Sequence, residues 1–360
     1  MSNDTHVREF LERMANEIYV PPLDWRSPVK RARRHRSITM AVVVVIVTAI
    51  VAAGSVGLRS ITDTRPRPAN ESTPPLMPLM RNGPIDVFGY MNAVRTLTPD
   101  GLGTSIFDCQ GSCPEVGGAD WSPDGTRLAF TALHPRGSQY DGLHVVDPAR
   151  GTDRLVVHGQ EIGYPAWSPD GTRIAYVQLQ QIFVVNEDGS GRTSVVTFND
   201  ENTFPSHPSW SPDGSRIVYS AGGQLFVVGL DGSAPSPLVQ GYYPTWSPDG
   251  STIAYVGGGG FQGPPGGCDV RETTPAGGYD SSLIDLATVG PDPKRCELTV
   301  DLEWSPDGAK LAAVVERYHT TRVAVVVMKA DGSSARMFSG WGAQHSYFGL
   351  TWRPVQATAG

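Results

Sequence analysis

The chain has 360 residues, a formal net charge of −7 and a hydrophobic fraction of 39%. The negative net charge argues against nucleic-acid binding, because proteins that bind nucleic acids present clustered positive charge to the phosphates. The 41 glycines and 30 prolines predict many tight turns and argue against a helical bundle.

An apolar segment at residues 38–58 contains no charged residue. Its length of about 20 residues matches the hydrocarbon core of a bilayer, which predicts a single transmembrane helix. A basic run at residues 26–36 precedes it and predicts a cytoplasmic N-terminus, with the rest of the chain extracytoplasmic at the cell membrane. The alternative is a cleaved signal peptide with small residues at 52–55, but the apolar stretch is long and a polar segment precedes it, which favours an uncleaved anchor.

The segments on either side of this helix are polar. Residues 1–37 form a predicted cytosolic tail with apolar residues at the three- and four-residue spacing of a short amphipathic helix. This helix either docks a cytosolic partner or lies on the membrane surface, and the marginal stability of short isolated helices favours the second interpretation. Residues 59–82 form a predicted Pro-rich linker, so the sequence predicts a domain held away from the membrane.

Four cysteines follow the linker, at Cys109, Cys113, Cys268 and Cys296. An even number of cysteines outside the cytoplasm predicts two disulfides, for which three connectivities exist. Proximity in sequence favours Cys109–Cys113 and Cys268–Cys296. A metal site is the alternative, but no CxxC pair occurs and no histidine lies at ligand spacing, so we expect no metal.

A five-residue motif, Trp-Ser-Pro-Asp-Gly, repeats along the rest of the chain. It begins at Trp121, Trp167, Trp210, Trp246 and Trp304, and a decayed copy begins at Trp352. The spacing clusters around 45 residues, which is typical of a four-stranded propeller blade.

Each residue of the motif suits a turn. Proline presets φ, aspartate bonds to nearby backbone amides, and glycine accepts positive φ. We therefore assign the motif tryptophans to packing between blades. The motif aspartates are assigned to turn stabilisation and not to catalysis: Asp124, Asp170, Asp213, Asp249 and Asp307.

The runs between motifs supply the strands. In the unit of Trp167, β-prone runs occupy residues 173–177, 181–185 and 192–196. The N-terminal part of the domain holds three strands that lack a first strand, whereas residues 347–354 form a lone first strand. Pairing the two ends removes exposed sheet edges and predicts an all-β, six-bladed β-propeller at residues 83–357.

These motifs, each followed by a strand such as Ile174-Ala175-Tyr176, resemble the TolB-like, WD-repeat-like β-propeller family over roughly residues 83–357. The resemblance implies a propeller that binds proteins or ligands. It implies no single activity, because related propellers also cover the catalytic domain of prolyl oligopeptidase-like enzymes. The predicted membrane anchor departs from periplasmic TolB, and no segment corresponds to the TolB N-terminal α/β domain.

The sequence predicts no catalytic residues. No G-x-S-x-G elbow is present and the histidines are dispersed, so we expect a non-enzymatic protein without a cofactor. Aromatic, acidic and imidazole groups just before each innermost strand suit a ligand-binding surface at the channel mouth, with ordinary loop variation as the alternative. These candidates are Asp120, Tyr164, His207, Tyr243, Asp301 and Tyr347.

An irregular stretch interrupts the repeat at residues 257–282 and lengthens the spacing between Trp246 and Trp304. A loop of this length inside a compact domain is typical of a binding element or of a plain insertion.

The leading hypothesis is a membrane-anchored extracytoplasmic propeller that binds a protein or envelope ligand and no nucleic acid. Its cytosolic tail would report that binding inward, as in a sensor or an anti-sigma-like regulator. One alternative is a hydrolase or lyase with its site in the channel, which three or more histidine and acidic groups with a bound metal would favour. The other is a structural scaffold of an envelope complex.

Overall fold

The computed structural model describes ten stretches of the chain: residues 80–89, 91–98, 101–108, 115–133, 139–199, 203–257, 269–289, 298–317, 322–338 and 347–356. The predicted tail, the transmembrane helix and residues 59–79 of the linker lie outside these stretches, as do all four cysteines, so the anchor and the disulfides stay predictions. The last three residues of the predicted linker, 80–82, belong to the first strand, so the propeller begins earlier than the predicted boundary at residue 83. Within the described stretches, no helix has the length and apolar character needed to cross a membrane.

The described residues form six antiparallel four-stranded sheets, which are the blades of a propeller. The N-terminal strands and the C-terminal strand share one sheet, the closing blade, with β1 (Met80–Gly89), β2 (Met91–Thr98), β3 (Gly101–Asp108) and β24 (Tyr347–Gln356). The second blade contains β4 (Glu115–Trp121), β5 (Leu128–Leu133), β6 (Gly142–Asp147) and β7 (Thr152–His158). The third contains β8 (Ile162–Trp167), β9 (Arg173–Gln178), β10 (Gln181–Asn186) and β11 (Thr193–Thr197).

The other three blades repeat this order. The fourth contains β12 (Pro205–Trp210), β13 (Arg216–Ala221), β14 (Gln224–Gly229) and β15 (Ser236–Gln240). The fifth contains β16 (Tyr242–Trp246), β17 (Ile253–Gly257), β18 (Asp269–Thr273) and β19 (Asp280–Asp285), followed by a short 3₁₀ helix at Leu286–Thr288. The sixth contains β20 (Leu298–Trp304), β21 (Lys310–Arg317), β22 (Arg322–Lys329) and β23 (Arg336–Met337).

The ring closes through the two ends of the domain. Strand β24 lies antiparallel to β1 and places Trp352 opposite Ile85 and Leu350 opposite Val87. These four side chains are buried in the core between the closing blade and the sixth blade. The prediction of six blades with one blade built from both ends is confirmed, because this pairing satisfies two edges that would otherwise be exposed.

The repeated motif forms a tight turn after each innermost strand. In all five complete copies the aspartate Oδ1 accepts a hydrogen bond from the motif serine hydroxyl at 2.5–2.7 Å. It also accepts one from the backbone N–H two residues later. The motif glycines have φ between +68° and +74°, a region that disfavours any side chain.

Neighbouring blades pack through apolar side chains and stacked arginines. The core between the third and fourth blades buries Ile182 against Trp210 and Ile217. Across three consecutive junctions an arginine guanidinium lies 5.0–5.1 Å from the ring of the next motif tryptophan, in the pairs Arg127–Trp167, Arg173–Trp210 and Arg216–Trp246. Each tryptophan therefore joins two blades.

The expected irregular stretch at residues 257–282 is wrong in part. Residues 269–273 and 280–285 are strands β18 and β19, and β18 pairs with β17 through Val256 opposite Val270. Val270 is fully buried, so packing against β17 orders a sequence whose charged and polar residues give little strand signal. Residues 258–268 lie outside the described stretches.

Candidate functional site in the propeller channel

The innermost strands of the six blades surround a cavity of about 320 Å³ along the propeller axis. We call the face on which these strands begin the entry face. Because successive strands alternate in direction, the turns between second and third strands and the links between blades also lie on this face. The motif turns lie on the opposite face, the exit face.

Three aromatic side chains line one side of the cavity near the entry face. Tyr164, His207 and Tyr243 each stand three residues before a motif tryptophan, in three consecutive blades. The ring centroids of Tyr164 and His207 lie 4.2 Å apart, and those of His207 and Tyr243 lie 4.5 Å apart. We call these three residues the aromatic arc.

A local break in each strand turns the aromatic arc toward the channel. The three residues have φ of +53°, +50° and +52°, which is uncommon for residues that carry a side chain. The pairing of each innermost strand with its second strand shifts register at this point. The same β-bulge therefore recurs in three blades and directs a ring into the channel.

The remaining predicted candidates do not all share this position. Asp301 stands at the equivalent place in the sixth blade, and it lines the cavity. Asp120 also lines the cavity, but it stands directly before its tryptophan, and the equivalent residue of its blade is Gly118. Tyr347 lies in β24 two residues before the equivalent Gly349, and its side chain is outside the described part of the chain.

The prediction that these residues precede the innermost strands is wrong, because Tyr164, His207 and Tyr243 lie inside β8, β12 and β16. Glycine fills the equivalent place elsewhere for a steric reason. A Cβ on Gly118 would lie 2.6 Å from the Pro165 ring, and a Cβ on Gly349 would overlap the Phe88 ring. The channel is therefore aromatic on one side and not around its whole circumference.

Three carboxylates also line the cavity, among prolines, glycines and the motif tryptophans, and we call them the acidic arc: Asp120, Asp301 and Glu303. Each binds backbone N–H groups of the next innermost strand. Oδ2 of Asp120 accepts from Trp167 at 2.6 Å, Oδ2 of Asp301 accepts from Leu350 at 2.9 Å, and Oε2 of Glu303 accepts from Trp352 at 3.2 Å. The acidic arc thus joins blades as well as lining the channel.

Protein surrounds these carboxylates on most sides, although each retains a partly exposed surface in the channel. Burial raises the pKa of Asp120 to about 7 and the pKa of Asp301 to about 7. Burial, together with the charges of Asp120 and Asp301, raises the pKa of Glu303 well above its usual range. The acidic arc therefore holds protons near neutral pH.

The aromatic arc stays uncharged under the same conditions. Burial lowers the pKa of His207 to about 3, so its imidazole is neutral at pH 7. Its Nδ1 is buried without a hydrogen-bond partner. Burial also raises the pKa of Tyr164 and of Tyr243, which keeps both phenols protonated.

Two acidic residues of this region were missed from the sequence. Glu303 stands directly before Trp304, as Asp120 stands before Trp121, so aligning the repeats by that column would have found it. Asp86 lies in β1, fully buried beside the closing strand. No motif precedes or follows it, so the sequence carries no signal for it.

The acidic arc predicts that the folded protein loses stability as pH rises through about 7. Its raised pKa values mean that the folded state keeps protons which an unfolded chain, with carboxyl pKa values near 4, has already released. This stabilisation is complete below the unfolded pKa and is lost through the folded pKa. Between pH 6.5 and 8.5 we expect the free energy of unfolding to fall by on the order of 2 kcal/mol.

Urea unfolding across this pH window measures the effect. The window starts at the pKa of an unfolded histidine, so the buried neutral His207 adds an opposing slope only at its lower end, and above about pH 7.5 this contribution is negligible. Asp301→Asn should flatten the dependence, and Glu272→Gln on the third strand of the fifth blade should leave it unchanged. An Asp301→Asn slope equal to that of the wild type would contradict the prediction.

The described residues contain no group of three or more His, Cys, Asp or Glu side chains placed to hold a metal ion.

The chain is similar in sequence to one known protein family. The family model described as the TolB beta propeller domain matches residues 110–262. No curated protein sequence matches the chain.

Three solved structures are similar to this chain at low sequence identity. A chain of the nidogen/laminin complex is 15% identical with a TM-score of 0.56, and the match covers 76% of this chain and 100% of that chain. A structure described as TolB from Agrobacterium tumefaciens is 17% identical with a TM-score of 0.51, covering 78% and 99%. An oligogalacturonate lyase in complex with manganese is 14% identical with a TM-score of 0.45, covering 72% and 74%. At these identities the likeness extends to the fold alone.

Proposed function

Because the propeller of this chain belongs to the TolB-like β-propeller family, we propose that it binds a protein or envelope ligand at its entry face without catalysing a reaction. The predicted anchor at residues 38–58 would hold this face outside the cytoplasm, and the tail at residues 1–37 would report binding inward.

One observation carries the proposal: apolar surface lies exposed on the entry face beside the channel mouth. Tyr164 is 38% exposed, Leu179 in the turn between β9 and β10 is 48% exposed, and Phe204 directly before β12 is 53% exposed. All three belong to the neighbouring third and fourth blades. Large side chains exposed together in this way are typical of a surface that a partner covers.

The solved relatives supply a precedent for this use of the fold. A propeller of similar architecture occurs in a complex of nidogen with laminin, and another is the TolB structure. Among the described residues of the channel, aromatic and acidic side chains suit recognition, and the exposed apolar residues supply contact area around them.

Site-specific photocrosslinking in intact cells tests the proposal. A photoreactive phenylalanine in place of Phe204 should form a discrete adduct with an extracytoplasmic partner. The matched control replaces Tyr279, which is 42% exposed in the turn between β18 and β19 on the exit face. Aromatic character and exposure are similar at the two sites, so the face is the variable that differs.

Adducts should form from Phe204 and Tyr164 and be absent from Tyr279, and mass spectrometry identifies the partner. Adducts formed from Tyr279 in preference to Phe204 would place the binding surface on the exit face and overturn the proposal. Absence of adducts from all three sites would overturn it as well.

A further inference from the structure

We propose that the channel is a receptor for one basic side chain, an arginine guanidinium that the bound partner inserts through the entry face. This inference rests on the proposed function and deepens it, since it names the chemical group that the same face recognises. It follows from the charge of the channel wall, from the aromatic arc and from the size of the cavity.

The wall of the channel becomes negatively charged, without a compensating cation among its described lining residues, as the acidic arc releases its protons above about pH 7. Asp120, Asp301 and Glu303 line the cavity, and its described lining residues include no lysine or arginine. The neighbouring Arg353 is engaged elsewhere, with its Nη2 2.9 Å from Oδ2 of the fully buried Asp86. A carboxylate group offers about four acceptor positions, and the backbone N–H groups occupy part of this capacity. A cationic group entering the channel would therefore find unoccupied hydrogen-bond acceptors on the carboxylates and no positive side chain in the lining to repel it.

The aromatic arc faces the same space and suits the same guest. Tyrosine rings attract a cation positioned over their faces, with a strength that grows when water is excluded. His207 is neutral at pH 7, so it adds no repulsion to a cationic guest.

Size and geometry favour arginine. A cavity of about 320 Å³ admits one long side chain and excludes a folded domain. The guanidinium is planar, stacks on aromatic rings and presents five donors in a fork that matches carboxylates. An ammonium group is more strongly hydrated and lacks the flat face, so lysine should bind less tightly. Anionic ligands would be repelled by those carboxyls of the acidic arc that are ionised.

Binding should be linked to proton release. A cation favours the ionised form of the acidic arc, whose carboxyls hold protons near neutral pH, so affinity should rise with pH through about 7. The other titratable groups that face this region are Tyr164, Tyr243 and His207 from β8, β16 and β12, Glu316 from β21, Asp86 from β1 and Arg353 from β24. The two tyrosines and His207 stay neutral across pH 6–8, so the acidic arc dominates the dependence.

Calorimetric titration of the purified full-length chain tests the inference with N-acetyl-arginine methylamide as the probe. The matched control probe is the citrulline analogue, which has nearly the same shape and no charge. The arginine probe should bind at least about tenfold more tightly than the citrulline probe, as expected for a partly desolvated cation–π and carboxylate site. Its affinity should rise by about tenfold between pH 6 and 8.

Two variants locate the site and one controls for charge. Glu303→Gln keeps an acceptor for the Trp352 N–H and removes the charge, and Tyr243→Leu removes one ring. Each should weaken arginine binding by about fivefold to tenfold and keep a cooperative melt. Glu272→Gln, with the same loss of charge on β18, should bind as the wild type does.

Equal affinity for the arginine and citrulline probes, or binding unaffected by Glu303→Gln, would overturn the inference. A third probe, N-acetyl-lysine methylamide, tests the choice of guanidinium, and tighter binding of this probe than of the arginine probe would overturn that choice. Crosslinking from Phe204 distinguishes failure of the arginine inference from failure of the proposed function. Phe204 would contact the partner on the entry face, and this contact does not require the charge of the channel. Crosslinks that persist in Glu303→Gln, with no arginine binding to the wild type, would leave the proposed function standing and remove this inference.

Discussion

Deleting residues 347–360 should abolish cooperative unfolding of the propeller. This deletion removes β24, the innermost strand of the closing blade. Strand β1 then keeps β2 but loses its partner on the channel side, and the ring is left open. It also removes the buried Leu350 and Trp352, whose burial contributes at least about 5 kcal/mol together. That amount is comparable to the whole net stability of a typical domain, which is roughly 5–15 kcal/mol.

Circular dichroism melts and size-exclusion chromatography measure the outcome. The matched control deletes residues 357–360 and keeps β24 whole, so it should melt as the wild type does. The long variant should melt without a sharp transition and associate through the exposed edge of β1. A cooperative melt of the long variant near the wild-type midpoint would show that five blades and an open sheet suffice.

Asp86→Ala should destabilise the protein by roughly 3–5 kcal/mol, the usual cost of breaking a buried ion pair by removing one partner. Oδ1 of Asp86 accepts from the Thr96 hydroxyl at 2.8 Å, and Oδ2 accepts from Trp121 Nε1 at 2.8 Å and from Arg353 Nη2 at 2.9 Å. The carboxylate therefore fastens β1 to its neighbour β2, to the second blade and to the closing strand. The Arg353 guanidinium also lies 4.3 Å from the Trp121 ring, which adds to the same junction.

A double-mutant cycle with Arg353→Met separates the pair from its surroundings. Removing Asp86 alone leaves a guanidinium without its counter-charge, whereas removing both partners leaves none, so the double variant should be more stable than Asp86→Ala. Free energies of unfolding from urea titrations give the coupling. Strictly additive losses would show that Asp86 acts through Thr96 and Trp121 and not through Arg353.

The acidic residues show which channel positions can be predicted by aligning the repeats. Asp120 stands directly before its motif tryptophan, whereas Asp301 stands three residues before its own. These are different positions in the innermost strands, and both residues line the channel. Glu303 shares the position of Asp120, and it was missed because the candidates were sought before each innermost strand, whereas Glu303 lies inside β20. Asp86 has no counterpart in the repeat, so its role depends on a pairing between the two ends of the domain.

The fifth blade contains a strand that local sequence does not predict. Residues 269–273 contain three charged residues, one threonine and a single apolar residue, Val270, so their pattern predicts a loop. They form β18 because β17 offers an unpaired edge and the neighbouring blade offers a surface for Val270. Tertiary packing here overrides weak local propensity.

The sequence alone determined the all-β class, the six blades and the closure by both ends, because turn chemistry and strand periodicity are local and repeat at a readable spacing. Its prediction of a membrane anchor is likewise local, and it stays a prediction. The tertiary structure alone decided which side chains share the channel. The bulges that aim Tyr164, His207 and Tyr243 inward, and the burial that keeps protons on Asp120, Asp301 and Glu303, arise when six separate strands meet around one axis. No single repeat contains that information, since the field and the exclusion of water at each residue come from the other five blades.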